Sequence, residues 1–502
     1  MRSDAIRHRA TRAAARGAPL SLALLACGLA LASGSAFAAD AAFPTTPPAP
    51  GPAPTLDVPT PDAQTLVNGL RVVSVRRARL PLVTVQLLVR SGGERDPQAL
   101  AGLADLTAQL LPKGAAGRSA PQIAAQAEAL GGSLVAAAGW DESEVGITVT
   151  TPKLPQALAL LADVVRRPDF AADELKRAQA QAIDDLRLQL SQPTALAQLV
   201  AARAVFGTGA YGHSRGGTPA SLARIGRSDV QALHAQLYRP DNAILVFTGD
   251  ITPAQALTLA QASFGNWTRP ATPLPAAPAG AGTTTLPSLV AIDQHGAGQA
   301  GVVAAHRAPP RSDDGYYAGT VADAVLGGSY SARLNEEIRI KRGLSYGAFS
   351  SLDLRRDSGL WLASAQTKNP SAPQVVDLTL GEFQRLGSTP VGDAELAARK
   401  ATLVGEYGRN LETTAGLAAQ VGDLALYDVD LAQIGRYIAR VQAVTPAQVQ
   451  AYAKAHLADA HVVVVGDAAQ FGAALKQAHP DVPVLQADTL DLDSASLQAA
   501  AK

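Results

Sequence analysis

The residues best suited to metal chemistry in this sequence are its histidines, because a neutral imidazole is the commonest protein ligand for transition metals and titrates nearest neutrality. Seven lie beyond the first forty residues: His213, His234, His295, His306, His456, His461 and His479. None stands four positions from another, the spacing that brings two ligands to one side of a helix. His456 and His461 fall on either side of a helix-to-strand transition. All seven read as surface or structural residues. The only cysteine, Cys27, lies in an apolar run near the N-terminus, so the chain beyond it carries no disulfide.

The chain that must position any site is long, 502 residues with 47% hydrophobic content, which suggests two to four domain-sized units. Lys+Arg and Asp+Glu both number 43, so there is no bulk basic field to recommend nucleic acid or an anionic membrane as partner. The first forty residues have the form of an export signal: Arg2, Arg7, Arg9, Arg12 and Arg16, an apolar run from Leu20 to Leu31, then Ala36-Phe37-Ala38. Cleavage after Ala38 predicts a periplasmic or secreted protein. The alternative is a membrane-anchored lipoprotein through Cys27, whose context Leu24-Leu25-Ala26-Cys27 loosely resembles a lipidation site. No later stretch approaches the roughly 20 apolar residues that span a bilayer.

Two proline-rich stretches divide the rest of the chain. The expected organisation is a signal at 1–38, a linker at 39–62, a first domain at 63–268, a linker at 269–287, a second domain at 288–480 and a tail at 481–502. Within each half the apolar period switches between two and 3.6, the mark of mixed strands and helices. Strands are expected at Leu80 to Val89 and Ser143 to Thr151, and helices at Gln98 to Leu111, Leu154 to Arg166 and Asp173 to Leu190. Ser228-Asp229 and Thr445-Pro446 each open a helix that leads into a strand ending Gly249-Asp250 or Gly466-Asp467. The two Gly-Asp pairs lie 217 residues apart, which points to an internal duplication and two related α+β units.

Asn68-Gly69-Leu70, Leu80-Pro81, Ser91-Gly92-Gly93-Glu94, Gly102-Leu103-Ala104 and Tyr211-Gly212-His213 with Gly216-Gly217-Thr218 resemble, in order, the start of a pitrilysin or mitochondrial-processing-peptidase domain. The resemblance implies two homologous α/β-sandwich halves forming a clamshell. In active relatives Gly-Leu-Ala runs into His-x-x-Glu-His, which binds zinc and activates water. Asp105, Ala108 and Gln109 hold those three positions here, and Asp185 matches the family's third ligand. Alanine is no general base and glutamine is a poor zinc ligand, so no metal is expected in this chain. Asp105 and Asp185 either face each other across the old site or stand as separate solvated carboxylates.

The second half keeps a different element. Leu326-Gly327-Gly328-Ser329 and Glu337-Ile338-Arg339 through Ser345-Tyr346 are similar to the segment by which the processing-peptidase-like branch offers an Arg and a Tyr to its substrate. Arg339 and Tyr346 hold those positions, and Gly327-Gly328 would let a substrate backbone approach closely. The resemblance therefore implies a non-zinc subunit that pairs with a homologous zinc-bearing subunit to hydrolyse peptides laid along a sheet edge. The competing readings are a binding or structural protein on the same fold, and an independent zinc peptidase, against which Ala108 argues directly.

Overall fold

A computed structural model describes residues 58–498. The export segment and the proline-rich leader as far as residue 57, with Cys27, lie outside the described residues, as do the last four.

The first half supplies β1 (Asp62–Thr65), β2 (Arg71–Arg76), β3 (Leu82–Val89), a two-residue hairpin of β4 (Gly114–Ala115) and β5 (Arg118–Ser119), β6 (Val135–Ala138), β7 (Ser143–Thr150) and β8 (Ala243–Gly249). The second supplies β9 (Leu289–Asp293), β10 (Ala300–Ala308), β11 (Ser345–Asp353), β12 (Gly359–Thr367), β13 (His461–Gly466) and β14 (Val484–Gln486). Two six-stranded sheets result, ordered β1-β2-β8-β3-β7-β6 and β14-β9-β13-β10-β12-β11. Strand by strand the five inner-to-edge positions correspond, each with one parallel pair (β2 with β8, β9 with β13) and antiparallel neighbours beyond it. This is the duplication expected from the Gly-Asp repeat. The outermost strands differ, since β1 is antiparallel to β2 and β14 is parallel to β9.

The central strands are buried on both faces, so β8 (AILVFTG) and β13 (HVVVVG) read as continuous apolar runs rather than alternating ones. Each sheet packs its own helices on one face. The opposite face is covered by a helix from the other half. Leu196, Val200, Ala201 and Phe206 of the Pro193–Phe206 helix pack on Val290, Ile292, Val303 and Val463 of the second sheet. In return Leu417, Val421 and Leu424 of the Thr414–Leu426 helix pack on Val73, Val75, Leu88 and Val246 of the first. The Pro193–Phe206 helix is apolar nearly all round because it must satisfy both halves.

Several local expectations change. The helix expected from Gln98 to Leu111 is broken: a 3-10 turn, Gln98–Leu100, precedes a helix at Leu103–Leu110, and Gly102 between them has φ of 93°. Only glycine takes that conformation without strain. The Arg227–Leu237 helix is capped at Gly226, whose N–H donates to Asp229 Oδ2 at 2.7 Å, rather than at Ser228. The segment 269–287 is held along its length, by Arg239 to the Thr272 carbonyl at 2.8 Å, Arg95 to the Pro275 carbonyl at 2.9 Å and the Gly280 N–H to Asp357 at 2.8 Å. The C-terminal segment is likewise placed as far as residue 498. After β14 it crosses to the first half, where Thr218 Oγ1 donates to Asp493 at 2.8 Å, Arg203 donates to the Leu492 carbonyl at 3.1 Å and Leu497 is buried.

Candidate functional site

The Leu103–Leu110 helix carries the degenerate motif. Its start is fixed by Asp96, whose two carboxylate oxygens accept from the Gly102 and Ala104 N–H groups, each at 2.9 Å. Burial pushes the Asp96 carboxyl well up, against the pull of these two amides. Leu103, Leu106, Ala108 and Leu110 face the core, and Ala108 is fully buried, so a methyl group fills the position from which a base would act. Asp105 and Gln109 lie one turn apart on the outer face, and Gln109 Nε2 donates to Asp105 Oδ2 at 3.0 Å.

Arg215, which sequence reasoning missed, completes this arrangement. Its Nη1 lies 3.7 Å from Asp105 Oδ1 and donates to the Ala138 carbonyl at the end of edge strand β6. Burial raises the Asp105 carboxyl above its ordinary range, and the Arg215 charge works in the opposite direction. Asp105 thus already faces a cation supplied by the chain. Asp185 does not join it: exposed on the Ala172–Leu190 helix, it accepts from Gln181 Nε2 at 2.7 Å, one turn away. Asp105 and Asp185 therefore have separate partners. Among the described residues no group of three or more His, Cys, Asp or Glu is placed to hold a metal ion. One carboxylate already tied to an amide and a guanidinium, with an alanine and a glutamine beside it, does not fit zinc. The signal for Arg215 is its place inside the segment Tyr211 to Thr218, between Ser214 and Gly216.

Beside this site the halves are locked together. Asp141 accepts from Tyr211 Oη at 2.6 Å and from the Arg356 N–H at 2.9 Å, and Arg356 Nη2 donates to the carbonyls of Arg90 and Asp141, each at 3.0 Å. The Arg355 guanidinium lies over Trp140, Tyr211 and Phe206 at 4.6, 4.8 and 5.1 Å from the ring centres. Glu94 and Glu142 in this region are both pushed up to about 7, chiefly by burial. For Glu94 the desolvation outweighs the Gly92 N–H at 2.7 Å and Arg95 at 3.3 Å.

The Arg339 and Tyr346 element is built differently and faces outward. Arg339 sits in a one-turn π-helix, Glu336–Ile340, a distortion often found where a helix must aim a functional side chain. Lys341 and Arg342 take up the nearby carboxylates, each pairing with Glu337 at 2.5 Å. Among the described residues Arg339 forms no ion pair; its guanidinium lies between two rings, 4.6 Å from Tyr330 and 4.9 Å from Tyr346. Tyr346 is 89% exposed. It owes this to a β-bulge: Ser345 pairs with Thr367 and Ala348 with Ala365, so Tyr346 and Gly347 together face one residue of β12.

Gly327 and Gly328 have another use than the one expected. A Cβ on Gly327 would collide with the Ser350 backbone nitrogen, and the Gly327 carbonyl accepts from that N–H at 3.2 Å. A Cβ on Gly328 would lie 2.9 Å from the Ala324 Cα. The backbone that approaches the pair closely is the chain's own. Together with Asn335 Oδ1, which accepts from the Ala348 N–H at 3.1 Å, the Gly327 turn caps the outer edge of β11. The edge that keeps room for an added strand is β6, where Val135 is exposed.

This fold is that of a zinc-peptidase relative. The family model described as Insulinase (Peptidase family M16) matches residues 71–215, and that described as Peptidase M16 inactive domain matches residues 224–403. The chain belongs to the M16, or pitrilysin, family. It is 28% identical over 399 residues to an uncharacterized zinc protease of Mycobacterium tuberculosis, covering 78% of this chain and 90% of that one. A 188-residue portion is 27% identical to the mitochondrial-processing peptidase alpha subunit of Solanum tuberosum, 37% of this chain and 36% of that one. The crystal structure of a peptidase M16 inactive domain from Pseudomonas fluorescens superposes with a TM-score of 0.76 at 26% identity, covering 82% of this chain and 98% of that one.

Proposed function

We propose that this chain is the non-zinc subunit of a two-chain zinc peptidase, exported with a partner that carries an intact His-x-x-Glu-His site. The observation that carries the reading is the state of Arg339: a guanidinium with no carboxylate partner among the described residues, lying over two exposed tyrosines. A guanidinium stacked on ring faces keeps its in-plane N–H groups directed outward, toward an incoming carbonyl. The Tyr346 hydroxyl, carried outward by the bulge, is a second donor for the oxygen on which charge develops during peptide hydrolysis. The activated water comes from the partner's metal. Strand β6 offers its open edge to an extended peptide, while the Asp105 to Arg215 pair ties the end of that strand to the helix behind it.

The test is peptide hydrolysis by the full chain alone, by a zinc-bearing homologue from the same genome alone, and by the two mixed, with zinc measured in each. The expected outcome is activity that requires mixing, reduced about a hundredfold or more in kcat by Tyr346→Phe and abolished by Arg339→Ala. Turnover with stoichiometric zinc by this chain alone would falsify the subunit assignment. Full activity of the mixture with both variants would leave the fold serving as a binding protein.

A further inference from the structure

The position of the Arg339 guanidinium depends on two rings that come from different segments. Tyr330 belongs to the loop before the helix that carries Arg339, and Tyr346 to the bulge at the start of β11. A cation lying over two rings keeps one position only while the rings keep theirs. Both tyrosines are exposed, Tyr330 at 56% and Tyr346 at 89%, so side-chain packing does little to fix them. The backbone beneath them has to.

Asn335 joins the two backbones. It is fully buried, and its amide works at both ends: Nδ2 donates to the Tyr330 carbonyl at 2.5 Å, and Oδ1 accepts from the Ala348 N–H at 3.1 Å, just past the bulge. The turn around Tyr330 is closed by the Ala332 N–H, which donates to the Ser329 carbonyl at 3.1 Å and leaves Tyr330 and Ser331 at the corners. Arg399, itself buried, anchors that turn from the Asp393–Asn410 helix. Its guanidinium donates to Ser329 Oγ at 2.9 Å, to Ser331 Oγ at 2.8 Å and to the Ser331 carbonyl. On the same helix Glu395 accepts from both Nε and Nη2 of Arg333 at 2.9 and 2.8 Å, which pins the chain where it leaves the turn. Charge-assisted bonds of this kind are the strong ones, and here they are committed to a surface loop.

Resting on the subunit reading above, we infer that Asn335 and Arg399 are positioning residues: they hold Tyr330 opposite Tyr346 at the separation that aims the Arg339 guanidinium. Tyr330 is thereby a third side chain of that site. Asn335 and Arg399 touch no substrate and act through the rings. Loosening the frame leaves Arg339 present but misdirected, and a displacement of about 1 Å in such a group lowers turnover by up to about a hundredfold. The loss falls on kcat rather than KM, because the rest of an extended peptide is held away from this site.

The experiment measures kcat and KM for an internally quenched dodecapeptide with the full chain and its zinc-bearing homologue mixed, together with thermal unfolding of each variant of this chain alone. Tyr330→Leu should lower kcat about tenfold with KM held within about twofold and the melting temperature unchanged, and Tyr330→Phe, which keeps the ring, should restore it. Asn335→Leu should lower kcat at least as far. Combining it with Tyr330→Leu should add less than about a further twofold, because both act through one stack. If Asn335→Leu does not fold, Ser329→Ala with Ser331→Ala loosens the same turn from the Arg399 side and carries the same expectation. Full kcat in Tyr330→Leu, fully multiplicative losses in the combined variant, or losses that follow only the amount of folded protein overturn the inference, and the subunit reading stands so long as Arg339→Ala abolishes turnover. A mixture that is inactive throughout, or indifferent to Arg339→Ala, removes the subunit reading as well.

Discussion

Glu94 shows how a single buried carboxylate makes this fold sensitive to pH. Its carboxyl is raised from 4.5 to about 7, so in the folded protein it is harder to ionise than in the unfolded chain. Its stabilising contribution is complete below the unfolded value and is lost as pH rises through about 7. Glu94→Gln should flatten that decline, and at pH 8 the variant should be more stable than the parent by about 1–3 kcal/mol in urea titrations. An unchanged pH slope would place the titration elsewhere. Ala108 argues in the other direction, since its methyl is fully buried in the first core. Ala108→Glu, the residue that active relatives carry there, puts a carboxylate into apolar surroundings and should cost about 2–4 kcal/mol. A neutral effect in the same titration would mean that the site opens to water.

At the scale of elements, the Pro193–Phe206 helix has more to do with the second sheet than its position in the chain suggests. Phe206 is fully buried against that sheet, and Phe206→Ala should destabilise the protein by about 3–5 kcal/mol. Hydrogen exchange should quicken in β10 and β13, not only in the first half; loss of protection confined to residues 58–268 would contradict the packing. Most single elements were legible in the sequence because they obey local rules. Leu154–Arg166 has its expected bounds, and Thr445 caps the Pro446–His456 helix, with its hydroxyl accepting from the Gln448 N–H at 3.3 Å. Local pattern does not encode which sheet a buried helix covers, so the exchange of helices between halves was not legible. The candidate site divides in the same way. Asp105, Ala108 and Gln109 were readable through their spacing, whereas Arg215, more than a hundred residues distant, meets Asp105 only through the fold. The Tyr346 bulge and the capping of β11 by Gly327 depend on strand register, which a single sequence does not state.

For the whole molecule, reciprocal covering means that neither half buries its sheet alone. Residues 58–268 and 288–498 expressed separately should each lack near-ultraviolet circular dichroism and bind a hydrophobic dye, and should regain a fixed tertiary signal when co-expressed. Cooperative unfolding of either half by itself would refute this. The C-terminal segment adds to the lock, since Asp493 ties β14 and its sheet to Thr218 and Arg224 of the first half.

The same reciprocity bears on descent. A half-length chain of this topology is complete only when a second copy lends it a helix and borrows one in return, which is the arrangement of an arm-exchanged twofold dimer. Joining two such copies end to end turns that symmetric pair into one polypeptide and frees each copy to change without the other. Strand β6 and its counterpart β11 differ in the way such freedom permits: one edge stays open beside the Asp105 to Arg215 pair, and the other is sealed next to Arg339.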